Sequence, residues 1–519
     1  MYMHLSKSAW EVLMKTLVLN GKDLKLEDVW DVAFKGRKVE ISDDAFERLA
    51  KGREIMQKLA DGGKPIYGFN RGVGQNKDVV VDDDAIDLEN MTMLRTHALG
   101  LPPYNSDEEV RAMMVIRLNN MLIGASCATD ELACSYRDFL NAGITPLIPS
   151  RGSVGEDDIT TITHLGLAFI GEGEVRYKGN VVPAKEAMEK EGLTPLQLRL
   201  KDVHTIMLSN GQGEGTAAVL VHETEQLLKM SDLVYCLAYE GLNGNIEAMR
   251  EDVNDLRGLP GQIECARRCR AFLEGSYLHD EDRPDHALQD PLTFRGGFAV
   301  TGAVTDALEF VKKYLSIQIN SPSDNPCILQ DKEDTFVCSN FETPTLALGV
   351  EMLAIALGHL SRTVYFRMIR LGDPAFTGLP RFLEPYDKSS HGYEEVQVTS
   401  SALEAETRYL INPSSIDFYP MQGSIEDHAS NLPLVVSKCR KIVDNMRYMV
   451  GMEAMYAAQA VDLREGGYVR LGKATQKMYD AVREAVPALH DNRNIYKDIQ
   501  KMYELICSEK PAEIADSVF

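Results

Sequence analysis

Pro149-Ser150-Arg151-Gly152-Ser153-Val154-Gly155-Glu156-Asp157-Asp158-Ile159-Thr160-Thr161-Ile162-Thr163-His164 is the stretch on which the reading of this chain turns. Gly152 and Gly155 bracket small residues and make a tight turn. Three acids follow, at the point where the apolar run 159–170 starts a helix. Free N–H groups and the macrodipole favour negative charge at a helix start, so an acidic cap is one reading of Glu156, Asp157 and Asp158. His164, inside the apolar run, reads as a satisfied core residue.

Moving outward, the C-terminal side turns long and helical. The segments 216–242, 300–317, 344–371, 396–411 and 427–460 carry few internal prolines or glycines. That pattern predicts a bundle of long rods. Leu259-Pro260-Gly261-Gln262 interrupts it as a turn and helix start. On the N-terminal side, 109–140 reads as one long helix and 171–179 as a small β-hairpin. The expected organisation is a smaller mixed domain over 1–205 and a long-helix domain over 206–519.

The bulk numbers narrow the function classes. The chain has 519 residues, 44% hydrophobic and 26% charged, with a net charge of −23. Such a surface repels nucleic acid and anionic lipid, so neither is expected as a partner. The nine cysteines include no Cys-x-x-Cys pair, and no His or Cys near Cys265 and Cys269 completes a metal site. Reduced thiols and a cytoplasmic location are expected. Met1 to Trp10 lacks a signal peptide's apolar run, and no uncharged apolar stretch predicts a membrane span.

With its neighbours, the opening stretch resembles the signature of the histidine and aromatic amino acid ammonia-lyase family. There, Gly-Ser-Val-Gly leads into Ala-Ser-Gly, then Asp-Leu and an apolar helix containing a His. The Ala-Ser-Gly cyclises into an electrophilic methylidene-imidazolone group. Here Gly152-Ser153-Val154-Gly155, Asp158-Ile159 and His164 match, but only Glu156 and Asp157 stand where that tripeptide would. The ring cannot form from them, so no prosthetic cofactor and no metal are expected.

The other family motifs follow in order. Tyr67-Gly68-Phe69-Asn70-Arg71-Gly72-Val73-Gly74 resembles Tyr-Gly-x-Asn-Thr-Gly-x-Gly, with Arg71 for the Thr. The resemblance makes Tyr67 the general base and Asn70 a substrate contact. A phosphate cradle is the weaker alternative, because no Lys-Ser/Thr follows. A phenolate base needs its pKa lowered from about 10 by positive charge or hydrogen-bond donors. His97, in Arg95-Thr96-His97-Ala98-Leu99-Gly100, falls on a substrate contact; a plain helix-end His is the alternative. Arg117, Asn119 and Gly124 fit a further family pattern. Asn210, in Leu208-Ser209-Asn210-Gly211, falls on a contact to substrate. Gln289-Asp290-Pro291-Leu292-Thr293-Phe294-Arg295 resembles Gln-Asp-x-Tyr-Ser-x-Arg, whose Arg pairs with the substrate carboxylate, a job suited to a guanidinium. Gln289 and Arg295 are carried over, while Leu292 replaces the Tyr. Ser339-Asn340-Phe341-Glu342 stands where Gly-Asn-Phe-His is common, and Lys388 is an unexpected lysine in a polar loop. Ile425-Glu426-Asp427-His428 resembles Gln-Glu-Asp-His, which places Glu426 in the active site.

The resemblance implies a mainly α long-helix bundle of the fumarase/ammonia-lyase superfamily type. It also implies a homotetramer whose sites combine loops of three subunits. Without the electrophile, the substrate must bring its own leaving group. A trimethylammonium group departs as neutral trimethylamine, which points to a small-molecule betaine. The expected reaction converts ergothioneine to thiourocanate. Tyr67, Lys388 and Glu426 are then catalytic, and Arg295, Asn210, His97, Asn70, Gln289, Glu156 and Asp157 bind substrate. Another betaine such as hercynine, or binding without catalysis, are the alternatives.

Overall fold

Four long helices carry the architecture: Gly211–Leu242, Gly297–Gln318, Pro344–Leu371 and Leu432–Asp462. The computed structural model describes residues 15–81, 86–385, 391–464, 469–491 and 493–519. The fold is mainly α, as the long apolar periodicities predict.

Two boundaries differ from expectation. The segment 109–140 is two helices, Asp107–Met121 and Asp130–Ala142. The break lies at Gly124, whose φ is +80° and where a Cβ would lie 2.5 Å from Gln330 Nε2. Only glycine takes that conformation cheaply, and Thr129 then caps the second helix by accepting from Leu132 N at 3.1 Å. The helix expected over 427–460 starts at Leu432 instead. Asn431 is left-handed, with φ 51°, and Pro433 fits only a first turn. The residues just before it, Glu426 among them, are thereby released to a loop.

The described residues form two compact units with interleaved segments. The first takes the chain up to Val221, then Val311–Leu348 and Pro413–Ser437. The second takes His222–Phe310, Gly349–Asn412 and Lys438–Phe519. Among the described residues, strands occur only in the first unit. Leu17–Leu19 pairs in parallel with Val39–Ile41, and Leu101–Tyr104 runs antiparallel to Pro149–Arg151. Glu174–Tyr177 lies between Ile144–Pro146 and Asn180–Pro183, which includes the expected hairpin.

Each unit is pinned by a buried ion pair. In the first, Arg117 (1% exposed) donates to both carboxylate oxygens of Asp324 and to Thr205 O. In the second, Arg367 donates to Glu453 and lies 5.0 Å from the Tyr235 ring centroid. Helix Pro344–Leu371 is long and apolar enough to cross a membrane by length and composition, but 61% of that window is buried inside the protein, as in a core helix. All nine cysteines are free.

Candidate active site

The acidic turn does not behave as a simple helix cap. Asp158 is the residue before helix Ile159–Phe169, but its side chain makes no cap hydrogen bond to that helix. It accepts instead from Ser153 Oγ at 2.5 Å and from Gly213 N at 2.9 Å, in the first turn of helix Gly211–Leu242. Burial pushes the Asp158 carboxyl up to about 6. Gly155 has φ +75°, and a Cβ there would sit 2.7 Å from both Leu432 N and Ser430 Oγ. The turn is therefore packed directly against the start of helix Leu432–Asp462. Asn431 N donates to Val154 O, and Ser430 Oγ donates to Gly155 O. His164 is not fully satisfied, because its Nε2 is buried without a partner.

This anchoring presents Glu156 and Asp157. Asp157 is left-handed, with φ 47°, 5% exposed, and its Oδ1 has no partner. Burial raises its carboxyl well above the ordinary range. Glu156 pairs backbone to backbone with Glu342, and its buried Oε2 is also unpartnered. Burial, with the negative charges of Glu426, Glu342 and Asp427, pushes Glu156 up to about 7.

Tyr67 stands on the loop that follows helix Asp43–Asp61. Its hydroxyl accepts from Gly74 N at 3.0 Å. Asn70 braces that loop: Oδ1 accepts from Ile66 N at 2.7 Å and Nδ2 donates to Lys64 O at 2.9 Å. Those bonds occupy both ends of the Asn70 amide, so it holds Tyr67 in place as well as falling on the predicted contact position. Gln75, further along the loop, donates Nε2 to Gly423 O at 2.8 Å. This ties the Tyr67 loop to the segment carrying Glu426.

The field around Tyr67 is the opposite of what a phenolate base requires. Burial raises its pKa, the Gly74 N–H lowers it, and Glu426, Asp157 and Glu156 raise it again. Glu426 is itself raised by burial and lowered by His97. His97 closes helix Ile86–His97 with Nδ1 2.8 Å from Met93 O. Asn210 (1% exposed) donates Nδ2 to Phe341 O at 2.6 Å and keeps Oδ1 unpartnered. The first unit thus gathers Tyr67, His97, Glu156, Asp157, Asn210 and Glu426.

Gln289 and Arg295 belong to the second unit. Arg295 Nη1 donates to Gln289 Oε1 at 2.5 Å, across the short helix Leu292–Arg295. Neighbouring Asp290 is buried and fixes the loop by accepting from Asn245 N at 2.7 Å. Leu292, in place of the family motif's Tyr, is 72% exposed. Lys388 lies outside the described residues.

Residues 24–484 match the aromatic amino acid lyase family. The chain belongs to that family. This lyase is 32% identical over 506 residues to the histidine ammonia-lyase of Alkaliphilus oremlandii, covering 97% of this chain and 99% of that one. It is likewise 32% identical over 506 residues to the histidine ammonia-lyase of Treponema denticola. Among solved structures it is similar to the ergothioneine-degrading enzyme ergothionase of Treponema denticola, bound to desmethyl-ergothioneine sulfonic acid. That match has a TM-score of 0.93 and 50% identity over 96% of this chain and 99% of that one. A tyrosine aminomutase from Streptomyces globisporus matches with a TM-score of 0.91 at 28% identity.

The family's ring does not fit this lyase. Glu156 and Asp157 offer neither a serine hydroxyl to expel nor a glycine nitrogen to close the ring, and the Asp158 N–H is held by Ser209 O at 2.7 Å. Sequence reasoning left several residues of the site unassigned. Glu342 accepts from His428 Nδ1, which lies 2.9 and 3.0 Å from its two oxygens. Thr343 and Ser430 pair at 2.8 Å beneath it. The one available signal was Glu342 standing where the family commonly has His.

Proposed function

We propose that this lyase eliminates trimethylamine from a betaine, with ergothioneine as the substrate and thiourocanate as the product, and needs no prosthetic electrophile. The observation that carries this reading is the exchange at the turn: a half-buried Glu156 and a buried Asp157, each with one carboxylate oxygen unpartnered, stand where the electrophile's precursor would be, beside the tyrosine of the base motif. At the coarser level the protein is a carbon–nitrogen lyase. The finer substrate assignment is supported by a contrast within one organism. The chain is 50% identical to Treponema denticola ergothionase and 32% identical to the histidine ammonia-lyase of the same species.

In this mechanism Arg295 and Asn210, brought together in the tetramer, hold the carboxylate, and Gln289 steadies Arg295. Glu156 and Asp157 face the trimethylammonium group. Tyr67 as phenolate takes the β-proton; the C–H pair becomes the Cα–Cβ double bond, and the C–N pair leaves with neutral trimethylamine. Glu426, Lys388 and His97 serve the imidazole-thione end, where charge developing at the β-carbon is delocalised. Burial and the nearby acids hold Tyr67 as a neutral phenol before substrate binds. The substrate cation offsets part of their field on binding and lowers the Tyr67 pKa, so the phenol releases its proton to solvent when a betaine arrives and then takes the β-proton. Cation binding also stabilises the ground state, which slows departure unless the transition state gains elsewhere; delocalisation into the thione ring supplies that gain.

The test is trimethylamine release by the purified protein from ergothioneine, hercynine and histidine. Release from ergothioneine alone supports the assignment. Preference for hercynine moves the substrate within the betaine class, and turnover of histidine to ammonia rejects the reading. A homotetramer with sites shared among three subunits belongs to the same proposal and is checked by light scattering.

A further inference from the structure

Glu342 closes Ser339-Asn340-Phe341-Glu342, the stretch that resembles Gly-Asn-Phe-His. Its backbone is paired with that of Glu156, and its side chain accepts from His428, two residues beyond Glu426. Phe341, immediately before it, accepts through its carbonyl from Asn210. Glu342 therefore lies at the junction of three segments that carry substrate-binding candidates. His428 is fixed from its other side by Phe418, with ring centroids 5.0 Å apart. The two acids of the turn each keep one carboxylate oxygen without a partner: Oδ1 of Asp157, which is 5% exposed, and Oε2 of Glu156. The negative charge of Glu342 reaches Glu156 strongly enough to help push its carboxyl up to about 7.

We propose that Glu342 is a specificity-determining residue that makes the site select a permanently charged nitrogen over a neutral group of the same shape. The inference rests on the betaine reading and names the residue that enforces it. Glu342 acts through its field on the region of Glu156 and Asp157, without touching the substrate. His428 fixes the carboxylate in place through its Nδ1 contact at 2.9 Å.

The experiment uses two isosteric carboxylates as competitive inhibitors: glycine betaine, with a trimethylammonium group, and 3,3-dimethylbutanoate, with a tert-butyl group. The ratio of their inhibition constants reports recognition of charge and cancels losses of shape or folding. In the wild-type protein glycine betaine binds the tighter. Glu342→Gln lowers that preference by roughly fivefold, the effect of one charge a few ångströms away across a partly solvated gap. Glu342→His, which installs the family's residue, lowers it at least as far. His428→Asn loosens the same hydrogen bond but leaves the carboxylate charged, so the preference stays or rises. An unchanged ratio in Glu342→Gln overturns the inference, as does an equal fall in Glu342→Gln and His428→Asn, which marks Glu342 as structural. A wild-type protein that releases no trimethylamine and shows no preference for glycine betaine instead overturns the betaine reading beneath it.

Discussion

Glu156→Gln should stabilise this lyase at alkaline pH while weakening its recognition of a cation. Burial and the surrounding acids lift the Glu156 carboxyl from an ordinary 4.5 to about 7. A carboxyl raised on folding contributes stability in its protonated form. That contribution is complete below pH 4.5 and is lost as pH climbs through about 7. Above pH 7 the folded protein holds a charge that the unfolded chain carries at less cost. At ~1.36 kcal/mol per pH unit the gap corresponds to ~3.4 kcal/mol. The side chain is only half-buried, so solvent screening leaves about 1–2 kcal/mol. Glutamine never ionises. The variant should therefore gain about 1–2 kcal/mol at pH 8, and the gain should vanish toward pH 4.5. Urea unfolding of both proteins at pH 8, 6.5 and 4.5 measures it. A variant no more stable than wild type at pH 8, or a difference independent of pH, refutes the electrostatic account of the cluster.

Tyr67→Phe removes the proposed base but leaves the loop's Asn70 bonds intact; trimethylamine release should fall roughly 10²- to 10⁴-fold with an unchanged circular dichroism spectrum. Gln75→Ala breaks the Gln75–Gly423 tie between the two loops; kcat should drop about three- to tenfold while unfolding free energy changes by less than ~1 kcal/mol. Arg117→Met strands Asp324, which is fully buried; denaturant unfolding should show a loss of about 3–5 kcal/mol, and a neutral result would mean that the pair is replaceable.

The long helices were legible because an apolar stripe sustained for twenty or more residues has few other solutions. The break at Gly124 was not legible, because it depends on Gln330 and Arg48 crowding the place where a Cβ would stand. The late start of helix Leu432–Asp462 was signalled by Pro433, but Asn431 and its donation to Val154 O are long-range facts. The candidate site residues stood in recognisable motifs, so their positions could be proposed. Their electrostatics could not. Nothing in Tyr-Gly-Phe-Asn says that three carboxylates will face the phenol and raise it. Asn70 and Asp158 show the same gap. Each is a polar residue in a motif, and only the folded contacts reveal that Asn70 braces its own loop while Asp158 serves the helix beyond its own.

The turn itself explains why two residues can stand in for three. Both of its flanks are fixed. Gly155 is pressed against Ser430 and Leu432, and Asp158 is bound through its backbone to Ser209 and through its side chain to Gly213. Between such anchors the backbone of Asp157 is left-handed, at φ 47°. A left-handed non-glycine residue costs about 1–2 kcal/mol, and burying its unpartnered carboxyl costs more. A merely structural shortcut would relax to glycine or asparagine, which accept that conformation with less strain. Retaining a buried aspartate there is coherent if a cation offsets its charge during the catalytic cycle. Asp157→Gly should then raise stability and weaken inhibition by glycine betaine together, as read by urea unfolding and inhibition constants. A glycine variant that gains stability and still binds the betaine as tightly would make the strain incidental to the chemistry.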